Sequence, residues 1–244
     1  MGELISVLSG KGGTGKTSVC AGVSAALAQL GEKVLCIDCD VGLRNLDIAL
    51  GMGELGALSF LDLCRDGYHR DAIPVHPTYC NLRFLTAPVN CTAAQIDPAA
   101  FAALLERARQ DFAYIFLDAP AGVGAGFQLC ARAADRILLV TGPDPAAIRD
   151  AGRTAELLEL MQRDNVRLIV NRISKKLASA LRLTVDDIMD QAGLPLLGIV
   201  PEDPNVLFAA ACGQPLLSGS RQGAAAACYR IARRIQGHSV PVTI

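Results

Sequence analysis

The chain has 244 residues, 51% of them hydrophobic, with no Trp and with 23 basic against 24 acidic side chains, a formal charge of −1. That balance supplies no global basic field to hold DNA or an anionic membrane, so any such contact would have to be local. No apolar run approaches the ~20 residues needed to cross a bilayer, and nine cysteines, an odd count without a secretory signal ahead of them, point to a reducing cytoplasmic setting rather than a disulfide framework.

Residues 4–9 read as a buried strand, followed by a Gly-rich turn and a helix over about 16–30 that Gly31 closes. Further strands are expected at 33–38, 82–85, 114–118, 136–140, 167–171 and 196–200. Helices fall between most of them, at 98–109, 127–134, 145–162 and 184–192, with a last one around 224–235. Such alternation implies right-handed crossovers and an α/β fold, a mainly parallel twisted sheet of about seven or eight strands with helices on both faces. One domain is expected over 1–236, with a short tail at 237–244. Residues 66–81 lack periodicity and read as a long surface loop; His69, His76 and His238 read as ordinary surface or loop residues. Cys36 and Cys39 have CxxC spacing but no second pair to complete a zinc site, and read as small buried hydrophobes.

In a parallel sheet the ligand site lies beyond the carboxyl ends of the strands, and the chemistry-bearing residues follow strands here. Gly10-Lys11-Gly12-Gly13-Thr14-Gly15-Lys16-Thr17 satisfies GxxxxGK[ST] directly between a strand and a helix, with Ser18 next. Glycines let successive N–H groups curl inward, and the helix N-terminus adds partial positive charge, so the main chain itself binds a di- or triphosphate. Lys16 is expected at the β- and γ-phosphates and the Thr17 hydroxyl on magnesium. Asp38 and Asp40 end the second strand on one side of an extended chain, placed for one carboxylate to serve magnesium and the other to position the attacking water. Asp118 ends four apolar residues in the form of a Walker B strand and is expected to bind magnesium; Gly122 would let the backbone approach the γ-phosphate.

A second lysine early in the loop, Lys11, resembles the deviant Walker A group, the family of MinD, ParA and the nitrogenase iron protein. The resemblance implies a catalytic role for Lys11 and Lys16, with Lys11 reaching the nucleotide of a partner subunit in an ATP-bound homodimer. The stretch from Asp38 to Asp47 looks very like the DxDxGLRNLD switch of the MinD branch, which implies that Asp40 orients or activates water while Asp38 supports magnesium. The same resemblance places Asn171 and Arg172, and Pro201, Glu202 and Asp203, around adenine; a turn residue after a strand is the plain reading of Asn171. Arg149 and Asp150 resemble a surface used by partners, although a helix capped by Asp144 with an exposed ion pair beyond it explains the same residues.

The implied activity is a magnesium-dependent ATPase, ATP to ADP and phosphate, acting as a dimerisation switch in division-site placement, with a division inhibitor resembling MinC and an activating or positioning factor as partners. Flagellar positioning and DNA partition are the alternatives from the same superfamily; for the latter the chain offers only Lys175-Lys176 and a terminal Arg cluster, so no nucleic acid binding is expected. An iron–sulfur carrier would have to use Cys91 and Cys130, and a metabolic ligase would need a further constellation that the motifs do not supply. MinD proteins end in a basic amphipathic helix that inserts into membrane. Residues 237–244, with a central proline and no Lys or Arg, cannot form one, so the resemblance does not extend to membrane attachment through this tail. A peripheral place at the inner face of the membrane would need a longer tail or another surface.

Overall fold

Seven strands whose residues are apolar almost without interruption assemble into one sheet in the computed structural model, which describes residues 1–53, 58–174, 176, 184–219 and 221–243. They are β1 (Glu3–Leu8), β2 (Val34–Asp38), β3 (Leu82–Leu85), β4 (Tyr114–Asp118), β5 (Arg136–Thr141), β6 (Val166–Ile173) and β7 (Leu196–Pro201). The order is β3-β2-β4-β1-β5-β6-β7 and every pairing is parallel. The helices are α1 (Lys16–Gln29), α2 (Leu46–Leu50), α3 (Phe60–Asp66), α4 (Pro98–Ala108), α5 (Ala125–Ala133), α6 (Pro145–Leu160), α7 (Val185–Ala192), α8 (Pro204–Ala211) and α9 (Gly223–Ile235). Lys175, half of the basic pair singled out in the sequence, lies outside the described residues.

Alternate strand residues divide between two cores, as the pleat requires. Leu4, Leu35, Ile37, Ile115, Leu117 and Leu139 face a cluster that includes Phe60, Phe101, Phe127 and Ile148 from α3 to α6. Ile5, Val7, Cys36, Phe116, Leu138 and Ile169 face the other, built from α1, α2 and α9. Cys36 and Cys39, three residues apart, therefore face opposite sides, Cys36 against Cys20 and Cys39 against Cys130. A CxxC pair split by the sheet cannot close on one metal.

Helices α2, α3 and α8 were not anticipated, and the segment 66–81 is more than a surface loop. It holds a 3-10 turn at Arg70–Ala72, and Val75 bridges Arg83 antiparallel. His76, expected at the surface, is 1% exposed. Its ring stacks on Tyr79 and all its nitrogens are engaged, so a histidine that reads as polar surface is here a satisfied core group. No helix of the described residues is long and apolar enough to cross a membrane.

β1 lies at the centre of the sheet, where connections to one side give way to connections to the other, so the loop after β1 opens at the crevice where such sheets take ligands. Helix α1 is fixed beneath that loop by α9. Gly22 is the contact: a Cβ there would lie 2.5 Å from Cys228 Sγ. Gly22→Ala is therefore expected to lower stability by about 1–3 kcal/mol through overpacking, although Ala favours helix by about 1 kcal/mol. Urea midpoints check this: adding Cys228→Ala should restore the loss, and a more stable single variant would show that α1 and α9 separate freely.

Candidate functional site

The phosphate loop leaves β1 at Ser9 and enters α1 at Lys16. Gly13 and Gly15 have φ of 82° and 83°, a conformation that side chains rarely adopt. Gly15 is constrained twice, since a Cβ there would lie 2.2 Å from Asn171 Nδ2. At the start of the loop, a Cβ on Gly10 would meet Thr154 Oγ1 and the Asp150 carbonyl of α6. Three hydrogen bonds hold the loop's shape: Asn171 Nδ2 donates to Thr14 O at 2.8 Å, the Gly122 N–H donates to Ser9 O at 3.1 Å, and Ser9 Oγ donates to Lys11 O at 3.1 Å. Gly122 has φ 85°, so the residue expected to approach phosphate is also a left-handed turn tied to the base of the loop.

Lys16 and Asp118 meet inside the protein, Nζ to Oδ1 at 2.5 Å, with side chains 6% and 1% exposed. Burial opposes charge on Lys16, but the Asp118 carboxylate outweighs it and holds the ammonium above its ordinary pKa. Burial pushes Asp118 up against the pull of Lys16 and of the Thr17 hydroxyl, which donates to it. Thus Lys16, Thr17 and Asp118, 102 positions apart at the extremes, form one cluster at the foot of the loop.

Asp38 stands in register beside Asp118 on the neighbouring strand and is fully buried. Its Oδ1 accepts from Asp40 N at 2.9 Å, and its Oδ2 accepts from Asn45 N and Leu46 N, both at 3.1 Å. Asp38 thereby folds residues 39–45 back over the site and supplies the N-terminal acceptor of α2, whose own N-cap side chain makes no hydrogen bond. Burial, then the adjacent Asp118 charge, raise its carboxyl to about 6 in spite of the three N–H donors. Asp40 is half-buried, raised by burial and by Asp38 and drawn down by Lys16, which faces it across the site.

Lys11 is exposed, its Nζ 3.4 Å from Asp144 Oδ1. Asp144 also accepts the Ala147 N–H at 3.0 Å, the helix cap expected from the sequence, and this bond, with Lys11, holds its carboxyl low. Arg149 is exposed and Asp150 half-buried on α6.

On the other side of Gly15 a cavity of about 400 Å³ is lined by Asn171, Arg172, Pro201, Glu202 and Asp203, the residues expected around a base, and by Ser18, expected with the phosphate loop. The apolar part of its wall, Val206, Leu207, Ala210 and Leu216, was not anticipated. Asp203 does structural work as well, its carboxylate accepting Asn205 N and Ala224 N. Arg172 takes φ 58° at a bulge where β6 shifts register against β7, a strained conformation of the kind found at ligand sites. Cys130 is buried in the core, away from any surface where a cluster could be shared between subunits.

The donor set suits a nucleoside phosphate with a hard cation. Thr14 Oγ1 is buried without a protein partner in the middle of the loop. Among the described residues, no three His, Cys or acidic side chains group closely enough to hold a metal alone. Magnesium fits that situation, because it keeps waters and takes phosphate oxygens besides one or two protein oxygens, such as Thr17 and Asp118 would supply.

Residues 5–216 match the family described as the CobQ/CobB/MinD/ParA nucleotide binding domain. The septum site-determining protein MinD of Synechocystis is 36% identical over 244 residues, covering 99% of this chain and 92% of that protein. Among solved structures, the chain resembles one from the MinC:MinD cell division protein complex of Aquifex aeolicus, with a TM-score of 0.90, 36% identity, and 99% and 98% of the two chains covered. It also resembles the Pyrococcus horikoshii septum site-determining protein MinD complexed with Mg-ADP, with a TM-score of 0.83, 27% identity, and 96% of each chain covered.

Between pH 4 and 6 folded Asp38 keeps a proton that an unfolded aspartate has released, so its contribution to stability is largest below about pH 4 and is lost as pH rises through about 6. Asp38→Asn cannot ionise, and relative to the wild type its stability should improve by about 2 kcal/mol between pH 4.5 and 7.5, whatever constant offset its altered hydrogen bonds add. Urea denaturation at the two pH values measures this; an offset independent of pH would show that Asp38 titrates normally in the fold.

Proposed function

The chain belongs to the MinD group of the CobQ/CobB/MinD/ParA nucleotide-binding family, and on that premise we propose that it works as an ATP-driven dimerisation switch in septum placement. It is a septum site-determining ATPase of the MinD/ParA type. The observation that carries the switch reading is the pairing of Lys16 with Asp118 beside a loop, 39–45, whose two ends the Asp38 carboxylate ties together.

In this reading residues 1–236 form the ATPase domain. ATP or ADP lies with its phosphates on the backbone of Gly10 to Thr17 and Ser18, and its base in the cavity beside Asn171, Arg172, Pro201, Glu202 and Asp203. Asn171 has one N–H committed to Thr14, which orients the amide and leaves its carbonyl for an exocyclic amine such as adenine's. Lys16 exchanges the Asp118 carboxylate for the β- and γ-phosphates, and Asp118, so released, would hold magnesium together with Thr17. Bound magnesium would offset phosphate charge. Asp38 acts chiefly by positioning the loop that carries Asp40, and Asp40 orients the attacking water. Gly122, tied to Ser9, registers the γ-phosphate. Lys11, held by Asp144 in the single chain, leaves that weak exposed pair for the nucleotide of a second copy, where its charge stabilises the transition state only when two chains close. The exposed Arg149, with Asp150, belongs to the surface for a MinC-like inhibitor or an activating factor.

Light scattering with ADP, and with ATP plus magnesium, tests this. ATP should give a dimer that Asp40→Ala preserves and Lys11→Ala abolishes, while phosphate release falls at least about 100-fold in both variants. A mass unresponsive to nucleotide would remove the switch reading and leave an ATPase of fixed oligomeric state.

A further inference from the structure

Helix α2 has five residues, too few to be stable by itself, and both its ends are held by groups outside it. At the first turn, Asp38 accepts Asn45 N and Leu46 N. At the last, Leu50 O accepts a hydrogen bond from His76 Nε2 at 2.8 Å. The histidine has no freedom to adapt: its Nδ1 accepts Thr78 N and Tyr79 N at 3.0 and 3.2 Å, which leaves the proton on Nε2, and its ring stacks on Tyr79 with centroids 4.5 Å apart. The next residue, Gly51, ends the helix at φ 69°, and a Cβ there would lie 2.8 Å from Gly213 O and 2.9 Å from Pro215 N. Gly213 and Pro215 belong to the connection from α8 to α9, which carries Leu216 into the base cavity.

Between its ends, α2 continues a hydrogen-bonded unit with the loop before it. Leu43 N and Arg44 N donate to Asp40 O, and Asp40 N donates to Asp38. A shift of α2 along its axis therefore moves Asp40.

We propose that α2 is a strut between the wall of the base cavity and the switch carboxylates, and that His76 is a positioning residue for hydrolysis, setting the place of Asp40 through Leu50 O. The kinetic arm of the test rests on the ATPase reading; the exchange arm does not. His76→Phe keeps a flat ring against Tyr79 and removes both nitrogens, and His76→Gln keeps a donor for Leu50 O.

In the nucleotide-free chain, amides of residues 45–50 should exchange about 10-fold faster in His76→Phe, with those of β1 and β4 unchanged. The same variant should lose about 10-fold in kcat with less than about 2-fold change in KM for ATP, the sign of a defect in the reacting geometry rather than in binding. His76→Gln should recover most of both. Gly51→Ala, which displaces the same end of α2 from the opposite side, should reproduce the loss of kcat, and it decides the matter if His76→Phe does not fold. Wild-type kcat in His76→Phe or Gly51→Ala, uniform acceleration of exchange through the chain, or equal losses in the Phe and Gln variants would overturn the proposal. A wild type that does not hydrolyse ATP would fail the ATPase reading instead, leaving exchange at 45–50 to judge the strut.

Discussion

A lysine and an aspartate with almost no access to water must face each other, and the rest of the site is arranged around that requirement. Removing either partner of such a pair leaves a buried charge and costs about 3–5 kcal/mol. The Lys16–Asp118 contact therefore sets the first turn of α1 against the end of β4 with little tolerance. Because β2 is in register with β4, Asp38 lies beside Asp118, and burial together with the Asp118 charge makes its carboxyl reluctant to ionise. The cluster carries more negative charge than one lysine can neutralise comfortably, a state that a cation entering with a polyphosphate relieves.

The phosphate loop is held from three directions at once. β6 reaches it through Asn171, the turn after β4 through Gly122, and α6 through the close approach of Thr154 and Asp150 to Gly10. A loop of glycines would otherwise lose a large conformational entropy on each binding event. These contacts order it in advance, so the backbone N–H groups need little rearrangement to meet an anion. The groups on the exposed side behave differently: Lys11 holds only a solvent-screened carboxylate, and Leu207 and Phe208 of α8 are 78% and 67% exposed. Stiffness below and readily exchanged contacts above suit a protein whose partner interactions follow the nucleotide.

What could be read in the sequence was what local chemistry determines. The phosphate loop is eight consecutive residues in their proper context, the strands are continuous apolar runs, and Asp144-Pro145 marks the start of α6 by a cap of its own. The capping box at Ser59 and Asp62, and Asp203-Pro204 ahead of α8, were signals of the same kind that short, weakly periodic segments concealed. By contrast, α2 could not be found by periodicity, because its acceptor is Asp38, eight residues before Leu46 and outside the helix. His76 reads as polar surface until Leu50 O and the amides of Thr78 and Tyr79 are placed around it. The apolar wall of the base cavity escaped for a related reason, since α8 buries none of its residues fully and shows no inward face.

The central claim is that Lys16 is held by Asp118 until phosphate and magnesium take the two partners apart. Calorimetric titration of ADP into the wild type and into Asp118→Asn, with magnesium and with chelator, tests it most directly. The account expects the variant to bind ADP without magnesium at least as tightly as the wild type, because Lys16 no longer has to leave a carboxylate, and to gain almost nothing when magnesium is added. Equal losses of affinity in both conditions, or a magnesium gain undiminished by the substitution, would contradict it.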